Sequence, residues 1–274
     1  MAAQLPKPQL NALPLGAHSV SALTDEALFD ACGVRIAFTG REGGVSTGPY
    51  ASLNTGDHVE DDLACVARNR EIVLEALGFQ GAPLVVPKQV HGTSVVKVPA
   101  AGDAPQAMEE AAAGADAVVV EAPEVAALLN FADCLPLIIV APSGRFAVVH
   151  AGWRGALAGI AGKAARELAQ VEGEGSAAGF NAYIGPHIRS ECFETSEDIA
   201  AQFADAYGAE LLADARHVSL AQAVSTDLAR AGLTRERIAD AGICTVCNSD
   251  RYFSYRAADG VCGRHAAIAI RRAN

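Results

Sequence analysis

The stretch VVHAGWRG, residues 148–155, sets an imidazole, the chain's single indole and a guanidinium among glycines. His150 ends the apolar run FAVV, and a strand end holds a side chain rigidly while leaving it reachable. Two other positions share that setting. His91 closes PLVVPKQV, and Cys134 lies within LLNFADCLPLII. Two imidazoles and a thiolate form a three-ligand set for zinc, with the fourth position open to water or substrate. The three are distant in sequence, so spacing does not separate this reading from two others. Cys134 could be the nucleophile of a cysteine hydrolase, with His150 or His91 as its base. The chain could also be a non-catalytic nucleotide-binding or metal-storing module.

Neighbouring residues suggest what such a site would hold. After Gly152 the chain enters a helix whose first N–H groups, with Arg154 beside them, suit an anion. Trp153 either covers a planar ligand or buries its ring. In the loop TGREGGVSTGPYASLN, 39–54, Arg41 and Gly43-Gly44 let backbone N–H groups approach an anion or a sugar. His187 in IGPHIRSECFE is a weaker ligand candidate. CTVC, 244–247, lacks a second pair, so a four-cysteine zinc site is excluded and the two thiols read as structural. His18 and His58 read as surface residues, His217 and His265 as structural ones.

The elements that must position these residues alternate along the chain. GVRIAFT, DAVVVEA, VAALLNF, LPLIIVAP, GRFAVVH, FNAYIGP and HAAIAIRR read as strands. APLVVPKQV and TSVVKV read as paired strands around His91-Gly92, and DRYFSYRAADG as a strand and turn. DDLACVARNREIVLEALG reads as a helix with Asp61 or Asp62 near its N-cap and Gly78 at its end. Helices are also expected over 155–170, 196–208 and 220–232, and exposed loops over 101–116 and 172–179. Strict βαβ alternation is absent, which favours an α+β layered domain with mixed sheets flanked by helices.

The chain has 274 residues, half of them apolar, which suits one large domain. Residues 1–25 read as a weakly ordered, Pro-containing arm and 26–274 as a single catalytic domain. A net charge of −11 argues against nucleic acid or an anionic membrane as partner. No apolar run approaches the ~20 residues of a membrane span, and the N-terminus does not read as a secretory signal. A cytoplasmic protein is expected. Seven cysteines, an odd number, argue against a disulfide framework.

KQVHG, ADCLPLII, HAGWRG, IGP followed by CFE, and YFSYRAADG together resemble the YfiH-like family. Its members carry the laccase-domain or multicopper polyphenol oxidase label. REGGVSTGPYASLN and ARNRE match as well, so the resemblance spans about residues 33 to 272. It implies an α+β fold with mixed sheets and a zinc-dependent purine nucleoside enzyme. The implied reactions are phosphorolysis of purine nucleosides and deamination of adenosine. The family's metal ligands fall on His91, Cys134 and His150. Its RxGGVS loop puts Arg41, Gly44 and Ser46 beside the site, where Arg41 and Arg154 would hold phosphate and Trp153 would flank the base. Asp133, next to Cys134, is the candidate acid/base. The laccase label itself fits poorly. Multicopper centres are rich in histidine, usually in His-x-His pairs, whereas this chain has seven histidines and no such pair. Incidental copper binding and polyphenol oxidation stay open, because His and Cys bind copper well.

Overall fold

The computed structural model describes residues 4–173 and 177–273. In chain order its main elements begin with β1 (Asn11–Leu15), β2 (Val20–Thr24), α1 (Glu26–Cys32), β3 (Val34–Thr39), α2 (Leu63–Leu77) and β4 (Leu84–Val85). There follow β5 (Val95–Val98), α3 (Ala104–Ala113), β6 (Ala117–Val120), β7 (Ala126–Phe131), β8 (Leu135–Val140) and β9 (Phe146–Ala151). The last group is α4 (Trp153–Leu157), α5 (Ile160–Glu172), β10 (Asn181–Ile184), α6 (Glu197–Tyr207), α7 (Leu220–Arg230), β11 (Ile238–Asp240) and β12 (His265–Arg271). The strands form two six-stranded mixed sheets, in the orders β1-β2-β3-β12-β7-β4 and β11-β10-β8-β9-β6-β5.

The apolar runs explain the layering. A strand buried on both faces is apolar at every position, not at alternate ones. In β8, Leu135, Leu137 and Ile139 face a core shared with α5, α6 and α7, while Ile138 and Val140 face the other sheet. In β12, Ala267 and Ala269 point between the sheets, and Ala266, Ile268 and Ile270 pack with α2. The result is a helix–sheet–sheet–helix stack. β9 follows the same alternation, with Phe146 and Val148 between the sheets. His150 therefore also points into the inter-sheet layer, where its ring lies 5.4 Å from that of Phe131 in β7.

Helix ends follow the sequence signals. Asp62 accepts from the Ala64 N–H to open α2, and Ser196 and Ser219 do the same for α6 and α7. Gly78 ends α2 at φ 83°, a conformation that suits a residue without Cβ. No helix among the described residues is long and apolar enough to cross a membrane.

Several expectations are corrected. Residues 11–24 are not a loose arm, because β1 and β2 extend the first sheet. Upstream of them Leu5 is buried, and the Pro6 carbonyl accepts from Asn181. Asp25 fastens the segment by accepting from Gln9 N–H, Leu28 N–H and the Tyr183 hydroxyl. Residues 101–116 are not a loop, since α3 turns Ala104, Ala107 and Ala111 inward at helical spacing. The helix expected over 155–170 is broken at Gly159, φ 78°, into α4 and α5. β4 and β5 are not partners, because β4 pairs with β7 in one sheet and β5 with β6 in the other. Residues 251–260 form turns without a strand. The loop expected over 172–179 includes residues 174–176, which lie outside the described residues.

Candidate metal centre

His91, Cys134 and His150 converge. Their ligand atoms all lie within 4.8 Å of one another, and Cys134 Sγ is 3.6 Å from His91 Nε2. The two imidazoles meet edge to face at 4.8 Å between centroids. Cys134 stands just ahead of β8, after a turn in which Asp133 adopts φ 82°. His91 is not at a strand end as expected. It lies in the loop joining β4 to β5, that is, joining the two sheets, at φ 59°.

Two residues hold that loop. Gln89 donates to the Asn130 carbonyl and accepts from the Asn130 N–H, both at 2.8 Å, which prolongs the β4–β7 pairing with a side-chain amide. Asp116, fully buried ahead of β6, accepts from the N–H groups of Val90, His91 and Gly92. The same carboxylate accepts from His150 Nδ1 at 2.8 Å. That bond leaves His150 Nε2 to face Cys134 and His91, the usual way a carboxylate orients a metal-binding histidine. Sequence reasoning missed Asp116. The available signal was a charged residue immediately before the apolar run AVVV.

The electrostatics match a cation site. Burial works to raise the Cys134 pKa, but the His150 charge and hydrogen bonds from both imidazoles overcome it, and the thiol is held at about 6. Burial also opposes a charged His150, yet the thiolate and Asp116 push its pKa to about 9. Between these values the metal-free pair is thiolate and imidazolium, and a metal must displace the His150 proton. Zinc uptake at pH 7.5 should therefore release about one proton from this pair, rising towards two as the pH falls below that of Cys134 ionisation. A titration in dilute indicator buffer measures it. Release that does not rise at low pH would contradict the assignment.

HAGWRG is explained by close approach. A Cβ on Gly152 would stand 2.5 Å from His91 Cδ2, and one on Gly155 would stand 2.8 Å from the Gly92 carbonyl. The glycines admit the His91 loop. Gly152→Ala should displace His91 and weaken metal binding, read with zinc as the probe, by about tenfold to a hundredfold while the fold persists. Competition against a chromophoric chelator, alongside circular dichroism, checks this; unchanged affinity would refute it.

The three donors open into a cavity of about 840 Å³, within the range of small-molecule sites. Trp153, Phe193, Tyr255 and Ile188 give it apolar walls, and His58, Lys88, Arg256 and Arg264 line it as well. Asp133 also lines it, but both its oxygens are engaged, accepting from Thr245 Oγ1 at 2.6 Å and Arg256 N–H at 2.7 Å. Asp133 is thus built to hold the Arg256 turn. Trp153 lies half-buried on the wall, with the Arg154 guanidinium 4.3 Å over its ring.

Four residues expected at the site are not among those lining the cavity. Arg154 is exposed on a five-residue helix, too short to present an anion-binding end. Arg41 donates to the carbonyls of Ala51 and Ser249 and stacks on Phe253. Ser46 donates to Asp61 and accepts from Asn69. Gly44 is packed so closely that a Cβ would collide with Ser52 and Asn69. Gly44 and Ser46 knit the 39–54 loop to itself and to α2, and Arg41 ties it to the 249–253 segment. His187 is buried with Nδ1 against the Gly185 carbonyl, and burial keeps its pKa low. His58 is exposed, as a surface residue should be, and it also borders the cavity, as do Arg256 and Arg264. His58 and Arg256 sit in bends and turns and Arg264 in the irregular segment just ahead of β12, where sequence carries no periodic signal.

Fold and site define an α+β protein of two mixed sheets, with a His-Cys-His centre fit for a metal at one end of the inter-sheet layer. The chain belongs to the family described as multi-copper polyphenol oxidoreductase laccase, which matches residues 35–272. It is 34% identical to purine nucleoside phosphorylase YlmD of Geobacillus stearothermophilus, over 88% of this chain and 91% of that one. It is 33% identical to a purine nucleoside phosphorylase of Haemophilus influenzae, over 84% of this chain and 91% of that one. The crystal structure of Bacillus licheniformis YfiH, described as a hypothetical protein, superposes with a TM-score of 0.83 at 27% identity, covering 94% of this chain and 99% of that one.

Proposed function

We propose that this protein splits purine nucleosides with phosphate, and deaminates adenosine, at a zinc centre held by His91, Cys134 and His150. The observation that carries the reading is the convergence of these donors on a cavity with both aromatic and cationic walls. The relatives' names supply the substrate class. The donor set fits zinc in kind and number, with a buried carboxylate orienting one imidazole. Bound zinc supplies Lewis acidity.

The chain's own residues do the rest. Trp153, Phe193 and Tyr255 offer flat apolar surface for a purine. Arg264 and Arg256 line the cavity and offer charge for phosphate beyond the N–H groups they already donate to the carbonyls of Cys262 and Gly263, and of Cys192 and Glu194. In phosphorolysis a phosphate oxygen bonds to the ribose C1′ as the C1′–N9 bond breaks and its electron pair leaves with the base. In deamination water adds at C6 and ammonia departs. Asp133 keeps Arg256 in place. Arg264→Ala should raise the phosphate KM at least about tenfold, the ~1.5 kcal/mol of one charge-assisted hydrogen bond, with zinc content unchanged. Steady-state kinetics with phosphate varied checks it, and an unaltered KM would remove Arg264 from the anion site.

The test of function is product analysis by mass spectrometry on adenosine, with and without phosphate. Native, chelator-stripped and zinc-restored protein are compared. Adenine with ribose 1-phosphate, and inosine, appearing only with zinc, is the expected result. No product from zinc-loaded protein would overturn the reading. A second reading draws on the acidified Cys134 thiol 3.6 Å from His91, the pairing a cysteine hydrolase uses. Full activity in stripped protein, abolished by alkylating Cys134, would favour it.

A further inference from the structure

Behind the cavity wall lies a second convergence that the proposed reaction does not use. The CTVC pair, Cys244 and Cys247, is joined by Cys192 from the distant turn after β10. The three sulfurs lie within 4.8 Å of one another, and Cys192 Sγ is 3.6 Å from Cys247 Sγ. Two backbone frames create this. Cys192 closes a tight turn on the Arg189 carbonyl at 2.9 Å, and Cys244 forms an isolated bridge to His187, which donates to the Ile243 carbonyl and accepts from the Thr245 N–H. Cys244 is buried, Cys192 partly so, and Cys247 reaches solvent.

We propose that Cys192, Cys244 and Cys247 form a second metal site, selective for a thiophilic d10 cation, zinc(II) or copper(I). Three observations support it. First, the spacing fits. Zn–S bonds of about 2.3 Å set tetrahedral sulfur–sulfur distances at about 3.8 Å, so the observed separations need shifts of no more than about 1 Å. Second, the donors are sulfur alone. No carboxylate or imidazole joins the cluster among the described residues, and an all-thiolate set selects soft cations over magnesium, calcium or manganese. Third, the surroundings suit a negatively charged thiolate–metal unit. The Arg256 guanidinium donates to the Cys192 carbonyl at 3.1 Å, while Arg189 is taken up by Asp240 at 2.9 Å.

The site has a structural consequence. Phe193 follows Cys192, and Arg256 is tied to Cys192, so a metal here clamps two residues of the cavity wall. It would act by positioning them, without touching substrate.

The experiment uses the full chain carrying Cys134→Ser, which removes the thiolate of the first centre. The protein is stripped and reduced under anaerobic conditions. It is then titrated with cobalt(II) as a spectroscopic probe, and with zinc(II) and copper(I) against chromophoric chelators. One equivalent of cobalt with intense near-ultraviolet sulfur-to-metal charge transfer is expected. The zinc and copper arms then rank the two ions. Cys247→Ser, at an exposed position that should not disturb folding, should weaken binding by more than the roughly hundredfold that losing a mere supporting group costs. Cys192→Ser should do the same. No cobalt–thiolate band, binding unchanged by Cys247→Ser, or a Cys192–Cys247 disulfide persisting in reduced protein would each overturn the proposal. Failure here leaves the first centre untouched, because that centre is read from wild-type nucleoside turnover.

Discussion

Cys134→Ala is expected to abolish nucleoside turnover and to remove zinc from the first centre while the fold survives. The thiolate is the one anionic donor of the three, and its pKa is already held near 6 by the imidazoles beside it. Its loss leaves two neutral imidazoles, one of them on an exposed loop residue. Lewis-acid catalysis accounts for several kcal/mol of barrier lowering, so losing about 4 kcal/mol would slow the reaction about a thousandfold. The side chain removed is small and partly buried, so the fold should persist, but the metal-free protein loses the thiolate partner of His150 and should melt lower than wild type. Zinc content by mass spectrometry, turnover with adenosine and phosphate, and a melting curve are measured together. A variant that binds no zinc yet keeps wild-type turnover would end the metal reading.

Asp116→Asn tests the buried support, with the second largest effect. The carboxylate accepts three backbone N–H groups and the His150 ring at once. Its pKa stays below the usual carboxylate range: burial raises it, but the His150 ring and the N–H groups of Gly92 and His91 outweigh that. An amide keeps one oxygen acceptor but turns the other position into a donor. Either a backbone N–H or His150 Nδ1 then faces a donor. The His91 loop should loosen and His150 should lose its fixed tautomer. Zinc affinity should fall by about tenfold to a hundredfold, and stability by about 3 kcal/mol, the cost of disrupting a buried, paired charge. Chelator competition reads the first and urea denaturation the second. Stability should also drop in the metal-free wild type as pH falls through the lowered pKa of Asp116, because a depressed carboxylate pKa contributes stability only above it. If Asp116→Asn binds zinc as tightly as wild type, orientation of His150 by this carboxylate is not needed.

Much of this was legible in the chain itself. The near-continuous apolar runs of β6, β7, β8, β9 and β12 announce strands buried on both faces, because burial forces apolarity locally. Asp62, Ser196, Ser219 and Gly78 mark helix ends by chemistry acting over two to four residues. The motifs around His91, Cys134 and His150 could be read because each ligand sits inside or beside such a run.

What tertiary structure alone decided is which residues meet. The β4–β5 segment looks like a hairpin in sequence, yet it crosses between sheets, because partner choice depends on strands placed far along the chain. Arg41, Gly44, Ser46 and Arg154 have the right chemistry but spend it on the 39–54 loop or on Trp153. Arg256, Arg264 and His58 reach the cavity from irregular segments that have no periodicity to betray them. Asp116 looks like any acidic residue before a strand until its four donors are seen together. Cys192 stands 52 positions before Cys244. No local rule couples them, and the packing of the turn after β10 against the 244–250 turn brings their sulfurs together.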